Sequence, residues 1–178
     1  MSIILTKAQI FIFIKQLLVR TSNQPAYFYA GNYLSRSYLS FDFALSFYGL
    51  IPETVYVCTS ATEHKTHHRS LITCKGTYSY RYIPKNAFEC GVNLIHEKGI
   101  SFRMASPEKA LCDKLFLLSP VKTLDNMREL LEDDIRIDID ALLHLNLNLI
   151  KKLSTLYPSE NVRKLWLFIK RERLCTAK

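Results

Sequence analysis

The chain has 178 residues, 48 % of them hydrophobic and 22 % charged, which is enough to bury an ordinary core around one domain. With 5 Gly and 6 Pro it is neither collagen-like nor a low-complexity polymer, and 12 % aromatic residues argue against disorder. A formal charge of +8, from 24 Lys+Arg against 16 Asp+Glu, favours an acidic or polyanionic partner without naming it.

At the N-terminus, Thr6 and Gln9 stand at capping-box spacing before the run IFIFIKQLLV, predicting a helix from about Lys7 to Val19. Its apolar core, Ile10 to Ile14, is too short for a signal peptide and is followed by no small-residue cleavage site. The segment 20–25 breaks the pattern, and a short helix is expected over Ala26 to Tyr33. Ser40 is placed to cap a third helix, with Phe41, Ala44, Leu45 and Tyr48 at helical spacing and Gly49 as its stop. The middle turns β-branched and aromatic. Strands are expected over Thr54–Thr59, His67–Thr73 and Thr77–Ile83, with Gly76 in the turn between the last two. Within the third, alternation sets Tyr78, Tyr80 and Tyr82 on one face and Ser79 and Arg81 on the other. Val92–His96 and Ile100–Met104 read as a further hairpin.

Ser106, Pro107 and Glu108 open a helix with an N-cap, a proline at its first position and an acid in its first turn. Ala110, Leu111, Leu115 and Leu118 then repeat on one side, and further helices are expected over 121–132, 138–145, 147–156 and 159–174. The predicted class is α+β: an antiparallel sheet of about four or five short strands, with N-terminal helices and a helical C-terminal part. Charge is uneven along this tail. Residues 101–150 carry six basic and nine acidic side chains, a net of −3, whereas 151–178 carry eight and two, a net of +6.

Five scattered cysteines without a C-x-x-C pair point to reduced thiols and a cytoplasmic setting. No apolar stretch approaches the roughly 20 residues that span a bilayer, so no membrane partner is expected. The five glycines are too far apart for a phosphate-cradling loop. His64, His67 and His68 cluster near Glu63, but alternation in a strand brings together only His64 and His68, a poor zinc site. Glu63 and Lys65 match half of a metal-dependent nuclease motif, with Asp42 upstream as a second carboxylate, which makes such a nuclease the enzymatic alternative. Lys65, Arg69 and Arg81 in the hairpin region, and Arg163, Lys164, Lys170 and Arg171 on the last helix, are the candidate partner or nucleic-acid contacts. Tyrosines at period two on a strand more commonly line a core than stack on bases. No catalytic residue and no cofactor is expected.

Five segments in order carry a resemblance. Residues 38–53, YLSFDFALSFYGLIPE, and 55–60, VYVCTS, are followed by GTYSYRYI at 76–83, ASPEKALCD at 105–113 and the acidic EDDIRID at 132–138. With Lys65 and Thr66 between them, these resemble the AbiEi-type antitoxin family of abortive-infection toxin–antitoxin systems, over roughly residues 26–172. The resemblance implies a non-enzymatic antitoxin that neutralises a nucleotidyltransferase-type toxin encoded beside it, in the context of phage defence. Family members also carry an N-terminal winged helix-turn-helix that represses their operon. Here the antitoxin-type domain occupies 26–178, and residues 1–25 leave room only for one helix, a remnant of such a domain. Lys109 joins the candidate contacts through this resemblance, with Glu108 and Asp113 on an i,i+4-type charged helix face. A nucleic-acid-binding regulator without antitoxin activity is the alternative function.

Overall fold

The computed structural model describes residues 24–34, 36–65, 69–97 and 99–176, so the expected helix over Lys7–Val19, along with His67 and His68, lies outside the described residues. A 3-10 turn, Ala26–Tyr29, runs into α1 (Ala30–Tyr33). Strand β1 (Ser37–Leu39) and helix α2 (Phe41–Phe47) follow, then β2 (Cys58–Thr62), β3 (Arg69–Thr73) and β4 (Gly76–Tyr82). After α3 (Lys85–Phe88) come β5 (Val92–Glu97) and β6 (Ile100–Ala105). The rest is helical: α4 (Pro107–Phe116), α5 (Leu124–Glu129) continued by a π-turn over Leu130–Asp134, α6 (Ile139–Leu143), α7 (Leu147–Leu156) and α8 (Glu160–Thr176).

The class is α+β as expected, but the sheet has six strands in the order β3-β4-β2-β1-β6-β5 and is mixed. β2 runs parallel to β4, and β1 parallel to β6, while the remaining neighbours are antiparallel. Alternation reports that a segment is a strand and which side chains share a face, but it carries no sign of direction. That is why the expected antiparallel sheet of four or five strands is corrected here.

Register and side-chain contacts place the two covering layers. Leu39 lies opposite Ser60 on one side and Met104 on the other, and Ser60 lies opposite Tyr80, so these residues share a face. The N-terminal helical turn covers it: the Tyr78 and Tyr80 hydroxyls donate to the Ala26 and Ala30 carbonyls at 2.9 and 2.6 Å, and Tyr27 packs on Phe102. Tyr38, Ala61 and Arg81 share the opposite face. There Thr59 Oγ1 donates to the Ser40 carbonyl and accepts from Phe43 N, tying α2 to the sheet.

Helix α2 stops where Gly49, at φ +69°, takes the left-handed conformation that glycine adopts without strain, and Leu50 N–H bonds back to Leu45 O. Helix α4 begins as its sequence dictates, with Ser106 Oγ accepting from Lys109 N and Pro107 at the first position. Its far end is closed by a residue distant in sequence. The buried Asn161 donates to the carbonyls of Leu118 and Ser119 and accepts from Val121 N, satisfying groups that the helix end leaves open. From α8, Val162, Leu165, Phe168 and Ile169 face the core at helical spacing, each fully buried. Burial of each contributes about 1.5–3 kcal/mol. No helix among the described residues is long and apolar enough to cross a membrane.

Candidate functional site

Beside α2 and α4, the sheet face that carries Arg81 borders a groove of about 430 Å³. Its floor is formed by Thr59 of β2 and by Ser79 and Arg81 of β4; the loop from Ile51 to Val57 forms one wall and Asp134–Ile135 another. Asp42 of α2 and Lys114 of α4 meet at the rim as an ion pair of 2.7 Å, and Glu53 is bound by Arg136. Arg81 itself is half-buried, and its guanidinium makes no hydrogen bond or ion pair with any described residue. A guanidinium carries five N–H donors in a fixed fork, so this one presents an anion-binding group, unpaired among the described residues, inside a concavity.

The groove is lined from four of the five segments quoted above for their resemblance. Asp42 and Glu53 come from residues 38–53, Val57 and Thr59 from 55–60, Arg81 from 76–83 and Asp134 from 132–138, while Lys114 directly follows 105–113. Arg81 is the candidate contact that this site brings into a concave setting. Lys114, Glu53 and Asp134 were missed by sequence reasoning. The signal that would have found them is that they border or belong to the quoted segments.

The other candidate contacts are dispersed. Lys65 is exposed, with its amine 5.8 Å from the Tyr82 ring, and Arg69 begins the edge strand β3. On α8, Arg163 and Lys164 share the carboxylate of Glu160 at 2.7 and 3.6 Å. The Arg163 hydrogen bond draws the Glu160 carboxyl below its ordinary range. Arg171 pairs with Asp125 and Glu172 at 3.3 and 3.2 Å. Lys170 has no carboxylate partner among the described residues and lies 5.6 Å from the Trp166 ring, which Lys151 approaches from α7 at 5.7 Å. Much of the basic character of α8 is therefore neutralised within the fold. Tyr78 and Tyr80 are buried beneath the N-terminal turn and are core residues, not a stacking platform.

Lys109 corrects the expectation of a contact surface. Both it and Asp113 are 0 % exposed, and they form an i,i+4 ion pair with Nζ–Oδ1 of 3.0 Å. The ammonium has three protons and three acceptors: Asp113 Oδ1, the Ala87 carbonyl at 2.7 Å and the Tyr157 hydroxyl. Asp113 Oδ1 also accepts from Tyr157, and its Oδ2 from Ser40 Oγ at 2.6 Å and Tyr38 at 3.1 Å. Glu108 accepts from Ser106 Oγ and from the Asn146 N–H at the start of α7, each at 2.8 Å. The charged residues of 105–113 thus hold β1, α3, α4 and α7 together. Removing two charges from water is costly, and only complete pairing of this kind makes it tolerable.

Burial raises the hydroxyls of Tyr38 and Tyr157 well above the ordinary tyrosine range, and the adjacent Asp113 charge raises them further. Below about pH 10 both folded and unfolded chains keep these protons and the full contribution to stability is present. Above it the unfolded chain releases protons that the folded chain still holds, so stability falls as pH rises. The urea midpoint is expected to decline steadily above about pH 10; a midpoint that climbs over that range would contradict the assignment.

Burial also pushes the Cys58 thiol up to about 12, and raises that of the fully buried Cys112. Neither is poised as a nucleophile. Glu63 is bound by Arg36 and Asp42 by Lys114, and no group of three His, Cys, Asp or Glu among the described residues could hold a metal ion. No protein-family profile matches the chain, and no curated protein shows significant similarity to it.

Proposed function

We propose that the chain is a non-enzymatic, antitoxin-like protein that neutralises a nucleotidyltransferase-type toxin, and that the toxin is engaged across the Arg81 groove. The single observation supporting this is convergence: four of the five segments singled out by their resemblance to antitoxins, scattered over residues 38–138, line one concavity. At its floor is a cation without a hydrogen-bond or ion-pair partner among the described residues. Arg81 has no hydrogen-bond or ion-pair partner among the described residues, so its replacement removes no such internal contact.

The test is growth rescue on co-expression with a nucleotidyltransferase-type toxin of the kind expected to be encoded beside the chain. The native chain and the Arg163→Glu/Lys164→Glu variant are expected to restore growth, and Arg81→Glu to abolish rescue while remaining soluble and folded. Rescue by Arg81→Glu equal to that by the native chain would refute the groove as the contact, and no rescue by the native chain would refute the function. A second reading, a nucleic-acid-binding regulator, draws on Lys151 and Lys170 flanking Trp166 without carboxylate partners among the described residues. It requires an affinity that falls steeply with added salt.

A further inference from the structure

We infer that the Arg81 groove receives a carboxylate side chain on a partner polypeptide, carried beside an apolar residue and a basic one, and not a phosphate. The inference rests on the groove reading above and adds the chemistry of what enters it. Arg81 and Ser79 project from one face of β4, two residues apart, and neither side chain has a hydrogen-bond partner among the described residues. Together they offer a forked set of donors and a hydroxyl, which match a planar carboxylate held at two points. Ile51, Val55, Val57 and Ile135 supply apolar walls around them. A bare ion would leave these walls uncovered, whereas a carboxylate on a chain with an apolar neighbour buries them.

The charge of the lining decides between anions. Asp42, Glu53 and Asp134 face a groove whose bases are Arg81 and Lys114. Asp42 is already paired with Lys114, and Glu53 with Arg136. Asp134 is exposed, with no ion-pair partner among the described residues. Inorganic phosphate or a phosphate monoester carries about 1.5–2 negative charges near neutral pH, more than the single unpaired cation Arg81 offsets, and would be repelled by Asp134. A monoanion accompanied by an ammonium satisfies both sides, its carboxylate at Arg81 and its cation at Asp134. The volume of about 430 Å³ lies in the range of sites that enclose small ligands or a few side chains.

The test uses the isolated chain and needs no toxin. The probes are acetyl-Lys-Leu-Asp-Leu-amide, its Asn counterpart with the carboxylate removed, and inorganic phosphate. Binding is followed by the side-chain Nε–H resonances of arginine in a ¹⁵N-labelled protein, assigned through Arg81→Gln. The Asp peptide is expected to shift the Arg81 signal with a Kd of about 1 mM. The Asn peptide should bind about tenfold more weakly, since it lacks the charge-assisted pairing. Asp134→Asn, at an exposed position, should weaken the Asp peptide severalfold through loss of the partner for lysine.

Equal binding of the two peptides, no response to the Asp peptide up to about 10 mM, or a tighter response to phosphate would each overturn the inference, the last in favour of a phosphoryl or nucleic-acid ligand. If Arg81→Glu abolishes growth rescue while the peptides are silent, this inference falls and the antitoxin reading stands. If the Asp peptide binds as described but the native chain gives no rescue, the groove chemistry stands and the antitoxin reading falls.

Discussion

Asp113→Asn is expected to lower the free energy of unfolding by about 3–5 kcal/mol, because it leaves the Lys109 ammonium buried without its counter-charge. For a chain of this length that corresponds to a fall in Tm of about 10 °C, measurable by thermal denaturation and urea titration. The size follows from position. Asp113 accepts from a lysine, two tyrosines and a serine, and none of these groups can turn to water when it is replaced. The converse experiment separates charge from packing. A Lys109→Met/Asp113→Leu double variant removes both ions together but leaves the hydroxyls of Tyr38, Ser40 and Tyr157 without their acceptor, so it should recover only part of the loss seen in Asp113→Asn. A double variant as unstable as Asp113→Asn would place the effect in the tyrosine and serine hydrogen bonds instead.

Gly91→Ala should destabilise by about 3 kcal/mol, read from the same urea titration. Two costs combine. Gly91 holds φ +79°, which a residue with a Cβ adopts only under strain, and that Cβ would stand 3.0 Å from Lys109 Cβ. Most close contacts of this kind are relieved when a flexible side chain swings aside. Here the neighbouring atom belongs to the stem of a lysine held at its tip by three acceptors, so relief at Gly91 means disturbance at Asp113. A loss under about 1 kcal/mol would show that the lysine stem yields.

What the sequence disclosed, it disclosed through local chemistry. Ser106 and Pro107 open α4 where capping rules place its start, and the alternation that sets Arg81 opposite Tyr78 and Tyr80 survives in the sheet. What stayed hidden depends on contacts between distant residues. Ser40 stands at the start of α2 as expected, yet its hydroxyl leaves the cap to bind Asp113. The first strand of the hairpin region was expected over Thr54–Thr59, but pairing begins at Cys58, and the residues before it form the groove wall with Tyr56 84 % exposed. A β-branched, aromatic run looks alike whether it lies in a ladder or beside one. β1 has three residues, too few to show a period, and was not foreseen. The ion pairs that neutralise Arg171 depend in part on Asp125 of another helix, and no pattern within α8 announces them. At the groove, the side of the sheet on which Arg81 lies was legible, whereas its lack of a partner was not.

The shortness of β1 bears on how the chain is made. On one side of it stand β2, β4 and β3, on the other β6 and β5, and Leu39 opposite Met104 is where the two halves meet. Each half contains a hairpin that closes locally, β3 with β4 and β5 with β6. The seam between them closes over a long loop, and such closures are slow. During synthesis β1 leaves the ribosome well before β6, and before Asp113, the carboxylate that grips Tyr38 and Ser40 at its end. A nascent chain halted before β5 therefore holds one half-sheet with β1 as an open edge, the condition in which strands pair with the wrong neighbour. Asp113 follows the end of β6 by eight residues, so the strand that joins the two halves and the carboxylate that binds Tyr38 and Ser40 become available at nearly the same point of synthesis.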